Sequence, residues 1–267
     1  MRKILFSAFF AIMAFASEAA KVDTVMVRSN TMSKDVQTVI IAPDKAADEK
    51  CPVVYLLHGY GGDAKTWIVI KPELPEIADE KGIIFVCPDG KNTWYWDSPK
   101  NKDVRFETFN SNELVSYVDS HYNTIADRKG RAITGLSMGG HGAMWNAIRH
   151  TDVFSAAGTT SGGMDIRPFP KNWEMSIQLG ELSENKEIWD NHTVINLVPT
   201  MKPGRLAIIM DCGESDFFLE VNKNLHEAFL KQGIEHDFIT RPGEHNSKYW
   251  NNSIDYQILF FQKHFTK

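Results

Sequence analysis

The sequence predicts an α/β fold, a mostly parallel sheet with helices on both faces. Three observations predict it. Short continuous apolar runs, VVYLL at 53–57 and IIFVC at 83–87 among them, have the length and composition of strands buried on both faces. Stretches with apolar residues spaced three and four apart alternate with these runs, as crossover helices do. The 267 residues, 43% of them hydrophobic, are enough to bury one core of ordinary domain size.

The first 20 residues stand apart. Arg2 and Lys3 precede an apolar stretch from Ile4 to Ala16, then small residues. Ala14-Phe15-Ala16 fits an A-x-A cleavage site, with Ala19-Ala20 as a nearby alternative. The pattern predicts a signal peptide over 1–20 and an exported chain, periplasmic or secreted. An uncleaved anchor is the alternative, but the stretch is short for a stable membrane helix, and no later stretch has a spanning length.

The remainder, 21–267, reads as one domain. DTVMVRS and VQTVIIAP read as paired strands, followed by the buried strand VVYLLHG. PELPEIADEKG is helical and closes at Lys81-Gly82, a helix-ending signal. IIFVCPDG is the next strand, and ETFNSNELVSYVDSHY has helical spacing at Leu114, Val115, Val118 and Tyr122. RAITGL and FSAAGTTSG are strands on either side of the helix GHGAMWNAIRH. RLAIIMDCG, the helix VNKNLHEAFLKQG ending at Gly233, the strand EHDFITRPG and the helix YWNNSIDYQILFFQKHF complete the order. Residues 162–203 break the alternation, with prolines, two tryptophans and no clear strand. They read either as a cap over the sheet's C-terminal edge or as a helical crossover with long loops.

Composition excludes several function classes. A net charge of −5 and no basic run argue against nucleic acid or an anionic membrane as partner. Neither H-E-x-x-H nor C-x-x-C occurs, so no metal and no cofactor are expected. Cys51, Cys87 and Cys212 are odd in number. Cys87 and Cys212 end apolar runs and read as buried thiols, with one disulfide left open.

Catalytic groups of parallel sheets gather where strands end at their C-terminal edge. After RAITGL comes Gly135-Leu136-Ser137-Met138-Gly139, a G-x-S-x-G turn from strand into helix. After RLAIIMDCG comes Asp216, and after EHDFITRPG comes His245. Serine, acid and histidine in this order form the arrangement of α/β-hydrolases. A serine hydroxyl is a poor nucleophile without a base in reach, and imidazole as a side-chain type titrates near neutral pH. Asp216 would fix the His245 ring and stabilise the imidazolium. The amides of Tyr60 and Met138 would form an oxyanion hole. Asp211 and Asp165 are rivals for the acid, disfavoured because Asp211 still lies at the strand end. His58 reads as a structural hydrogen-bonding residue, and His141 as packed within the helix.

YLLHGYGG, PDG followed by WYWDSP, FETFNSNELVSYVDSHY, AITGLSMGGHGAM, DCGESDFF and GEHNSKYW occur in that order over most of residues 53–250. With these motifs the chain resembles an esterase family of α/β-hydrolases. It includes esterase D-like enzymes, tributyrin esterases, S-formylglutathione hydrolases, mycolyltransferases, and the feruloyl and acetylxylan esterases of carbohydrate esterase family 1. The resemblance implies Ser137 as nucleophile, Asp216 as acid, His245 as base, and the Tyr60 and Met138 amides as oxyanion donors. It implies an α/β-hydrolase fold with a short cap-like insertion. One departure stands out: members often carry tryptophan two residues after the catalytic histidine, where this chain has Ser247.

The expected function is therefore a secreted serine carboxylic-ester hydrolase acting through an acyl-enzyme on Ser137. Trp94, Trp96, Trp173 and Trp189 are candidate flat faces for a sugar or phenyl ring. Together with export, they point to acetyl or hydroxycinnamoyl esters of carbohydrate, a small-molecule or polysaccharide partner. A generalist short-chain esterase and an acyltransferase using the same acyl-enzyme are the alternatives.

Overall fold

The computed structural model describes residues 20–266, so nearly all of the expected signal peptide lies outside the described residues. One sheet of eight strands runs in the order β1-β2-β4-β3-β5-β6-β7-β8. β1 (Lys21–Ser29) and β2 (Lys34–Ala42) form an antiparallel hairpin, and β2 is antiparallel to β4 (Ile84–Pro88). From β4 onward neighbours are parallel: β3 (Val53–Leu57), β5 (Arg131–Gly135), β6 (Ala156–Thr160), β7 (Ala207–Gly213) and β8 (Asp237–Arg241). β3 to β6 are buried along their whole length; their runs are apolar or small apart from Arg131 at the start of β5, which pairs with Asp119. Successive residues face opposite sides: Tyr55 and Leu57 enter one core, Val54 and Leu56 the other.

Each core is closed by its own helices. α1 (Thr66–Ile70), α2 (Leu74–Lys81) and α9 (Ser247–Phe265) cover one face through Trp67, Leu74, Ala78, Ile254, Ile258 and Phe261. α2 ends as expected, with Gly82 in the left-handed region at φ 63° and its N–H bonded to the Ala78 carbonyl. On the other face lie α4 (Leu114–His121), α5 (Met138–Arg149), α8 (Leu219–Gln232) and the 162–203 segment.

Two local expectations change. The helix expected over ETFNSNELVSYVDSHY is interrupted: after α3 (Phe106–Thr108) comes a π-turn at Phe109–Glu113. There the Glu113 carboxylate accepts from the Asn30 and Thr31 amides, at 2.9 Å each, and from the Ser29 hydroxyl at 2.6 Å. It thereby ties the helix to the β1–β2 turn. The disulfide left open from sequence is absent: Cys51, Cys87 and Cys212 are buried free thiols.

The 162–203 segment has no strand. It holds α6 (Met175–Leu179), α7 (Lys186–Asn191) and a 3₁₀ turn at Val194–Thr200. Met164, Ile166, Met175, Leu179, Trp189 and Val194 are buried in the core. β3 sits between β4 and β5, so the chain leaves it toward one side and later returns on the other. That switch point opens a crevice at the C-terminal ends of β3 and β5.

Candidate active site

The crevice is built on a sharp turn. Ser137 follows β5 at φ 55° and ψ −118°, strained for a side chain with a Cβ. Its carbonyl accepts from the His141 amide at 3.1 Å, so the helix α5 starts at once. The two flanking glycines are required by contact. A Cβ on Gly135 would lie 2.4 Å from the Gly139 carbonyl, and one on Gly139 would lie 2.2 Å from the Leu57 oxygen. The strained serine is therefore held by a close meeting of three backbones.

Two later loops reach this hydroxyl. His245 Nε2 lies 2.9 Å from Ser137 Oγ. Its Nδ1 lies 2.8 and 3.0 Å from the two oxygens of Asp216. The Asp216 side chain is fully buried, and its Oδ1 also accepts from the Phe218 amide at 2.8 Å. A buried carboxylate held by two N–H groups, those of His245 and Phe218, is fixed in place, and it fixes the imidazole in turn.

The rival acids are engaged elsewhere. Asp211 is fully buried, paired with Arg241 of β8 and accepting from the Tyr249 hydroxyl. Burial pushes its carboxyl up, opposed by Tyr249 and Arg241. Asp165 is held by Arg167 at 2.7 Å. His58 is locked between backbone groups: Nδ1 lies 2.7 Å from the Gly59 carbonyl, and Nε2 accepts from the Gly90 amide at 2.9 Å. His141 is locked likewise, with Nδ1 2.8 Å from the Gly163 carbonyl and Nε2 accepting from Trp96 Nε1 at 2.8 Å. Burial lowers its pKa to about 4.

The Met138 amide opens α5, where helix-start donors have no intrahelical partner. Tyr60 sits in a loop pressed onto the elbow. A Cβ on Gly59 would lie 2.6 Å from Leu136 Cδ1 and 3.3 Å from Ser137 Cβ, so only glycine lets the loop come this near. Among the described residues neither the Tyr60 nor the Met138 amide donates to a protein acceptor.

The tryptophans need a correction. Trp94, Trp96 and Trp189 are 1%, 0% and 0% exposed and offer no face to a ligand. Trp94 and Tyr95 are consecutive left-handed residues, at φ 57° and 61°. Trp94 and Trp96 stack on each other, and both pack against the ring of His141. Trp189 donates to the Gly180 carbonyl at 2.8 Å. Of the four, Trp173 alone is partly exposed.

Two side chains that sequence reasoning missed, Phe217 and Trp250, touch His245, and Trp173 extends the group. Phe217, 52% exposed, has its ring centroid 4.2 Å from the imidazole. Trp173 stacks on Phe217 at 5.7 Å with planes 20° apart. Trp250 meets the imidazole edge-on at 5.0 Å and 89°. It supplies an aromatic wall where Ser247 does not. The signal the sequence offers for Phe217 is its place directly after Asp216, in the loop that follows a strand end.

With the geometry in view, the likeness to known proteins can be placed. The family described as "Putative esterase" matches residues 29–261. The chain belongs to this esterase family. An acetyl esterase of Caldicellulosiruptor saccharolyticus is 26% identical over 249 residues, covering 85% of this chain and 92% of that one. A solved ferulic acid esterase has 27% identity and a TM-score of 0.80, covering 92% of this chain and 98% of that one. An S-formylglutathione hydrolase from Agrobacterium tumefaciens shares the fold, with a TM-score of 0.77 at 22% identity, over 94% of this chain and 97% of its own. The esterase is thus an α/β-hydrolase that cleaves carboxylic esters, as its family, its relatives and its parallel sheet agree.

Proposed function

We propose that this esterase works through an acyl-enzyme on Ser137, with His245 as general acid and base and Asp216 as the carboxylate that holds it. The carrying observation is the unbroken line Ser137 Oγ–His245–Asp216, with contacts of 2.9 and 2.8 Å. The Ser137 proton passes to His245 Nε2 as Oγ bonds to the ester carbon. The amides of Tyr60 and Met138 receive the charge on the carbonyl oxygen. When the C–O bond to the alcohol breaks, Nε2 returns the proton to the departing oxygen. Water then repeats the sequence and frees the acid.

The substrate reading is a carbohydrate ester carrying an acetyl or hydroxycinnamoyl group, met outside the cytoplasm by an exported chain over 21–267. The acetyl esterase and ferulic acid esterase relatives support it, and so does the N-terminal pattern of Arg2, Lys3 and apolar residues. A hydrolysis panel tests it, with acetyl, butyryl, octanoyl and feruloyl esters, each as methyl ester and on xylo-oligosaccharide. Intact-mass analysis after an organophosphate ester tests the nucleophile; the adduct should map to Ser137. An adduct elsewhere, or preference for octanoyl methyl ester, would overturn the reading.

A further inference from the structure

We propose that Phe217 and Trp173 form the subsite for the alcohol half of the ester, and that this alcohol is a sugar ring. The proposal rests on the acyl-enzyme reading, because it uses the direction of proton return. The departing oxygen must lie within hydrogen-bond reach of His245 Nε2, so whatever that oxygen carries extends past the imidazole. The acyl group, bonded to the same carbon, points away from it.

Past the imidazole lies an aromatic shelf. The Phe217 ring is 4.2 Å from the imidazole centroid, and Trp173 continues it in a near-parallel plane. Phe217 is among the few large apolar side chains left exposed, at 52%. It leaves the core at the residue next to Asp216, while its neighbour Phe218 is buried.

Trp173 is held in place rather than loosely displayed. Its carbonyl accepts from Trp94 Nε1 at 3.3 Å, and its ring packs on Phe169 and Phe218 at 5.5 and 5.2 Å. Trp173 and Glu174 adopt φ 50° and 53°, two consecutive left-handed residues with side chains. That strain persists because the surrounding contacts fix it. The buried Trp94 thus acts beneath the shelf and not as a face of it.

The rim chooses the occupant. Tyr60, 37% exposed, has its hydroxyl pKa pushed up by burial and by the neighbouring exposed Glu174 carboxylate, so a phenol and a carboxylate stand together beside the two rings. A flat apolar face edged by a carboxylate and a phenol suits a sugar, whose ring presents C–H bonds on one side and hydroxyls around it. An alkyl chain would lay apolar surface against the carboxylate without compensation.

The test holds the acyl group constant and changes the alcohol. kcat/KM is measured for a feruloylated arabinoxylo-oligosaccharide and for methyl ferulate, and for acetylated xylo-oligosaccharide and methyl acetate. The ratio of sugar to methyl ester should fall about tenfold in Phe217→Ala, the size of one lost aromatic contact. It should fall comparably in Phe217→Leu, which keeps apolar bulk but not the flat face, and in Trp173→Leu. A ratio within twofold of the parent enzyme in all three would overturn the proposal. So would a loss that follows feruloyl against acetyl on one sugar, which would make the shelf an acyl site. Failure of the underlying reading looks different: Ser137→Ala would then keep its turnover on every substrate.

Discussion

Asp211 and Asp216 stand five residues apart around the end of β7, both with fully buried carboxylates. Asp211 is still in the strand, so its side chain meets the adjacent strand and the helix behind it, at Arg241 and Tyr249. Asp216 follows a turn in which its amide bonds to the Gly213 carbonyl, and the loop carries its carboxylate into the crevice. There it meets the His245 imidazole instead of a fixed cation. Residue type and burial are the same; position relative to the strand end decides which carboxylate ties elements together and which one faces the crevice. The histidines repeat the contrast. His245 bridges a carboxylate and a hydroxyl at the surface of the crevice, whereas His141 bridges a carbonyl and an indole inside the core.

On the proposed mechanism the largest effect should come from Ser137, the hydroxyl to which His245 and Asp216 line up. Ser137→Ala should lower kcat by on the order of 10⁴ to 10⁶, with urea stability kept, because no other group can take the acyl chain. Turnover retained within tenfold would separate the Asp216–His245 pair from catalysis altogether.

The two aspartates then give opposite signatures. Asp216→Asn should cost about 10⁴ in kcat by favouring the wrong imidazole tautomer, with stability little changed. Asp211→Asn should leave kcat per folded molecule near the parent value but destabilise the fold by about 3 kcal/mol, since it strands the Arg241 guanidinium. Active-site titration alongside urea unfolding separates the two quantities. Exchange of these signatures between the variants would reverse the assignment.

Much of this contrast was legible in the sequence. The apolar runs placed the strands, the strand ends placed the loops, and Ser137, Asp216 and His245 fell on three of them. The distance of Asp216 from its strand end already distinguished it from Asp211. The tryptophans were not legible, because their direction depends on backbone turns with no glycine to announce them. Left-handed Trp94 and Tyr95 turn Trp94 and Trp96 inward, while left-handed Trp173 stays at the rim. Phe217 and Trp250 escaped for a related reason. Each touches His245 across a loop or helix turn, and no periodic spacing encodes that contact.

The smallest expected effect concerns His141 and sharpens the comparison of histidines through pH. Burial lowers its pKa from 6.5 to about 4, so the folded protein keeps it neutral through a range where the unfolded chain binds the proton. Its contribution to stability is whole above pH 6.5 and is lost progressively as pH falls to about 4. The total amounts to about 3 kcal/mol. Glu107 gives its loss in a lower window. Burial raises its pKa, but bonds from His150, Arg149 and Trp145 outweigh this and lower it from 4.5 to about 2. Its stabilisation is therefore present above pH 4.5 and lost below. His141→Gln retains a donor for the Gly163 carbonyl and an acceptor for Trp96, and it has no charge to gain. The variant should be less stable at pH 7, yet its urea midpoint should fall less steeply than the parent's between pH 6.5 and 4.5. The two proteins differ only at residue 141, so the difference in slope reports the proton that His141 gains. Equal slopes would mean that His141 takes up its proton as readily in the core as in the unfolded chain, and the distinction drawn between the two histidines would fail.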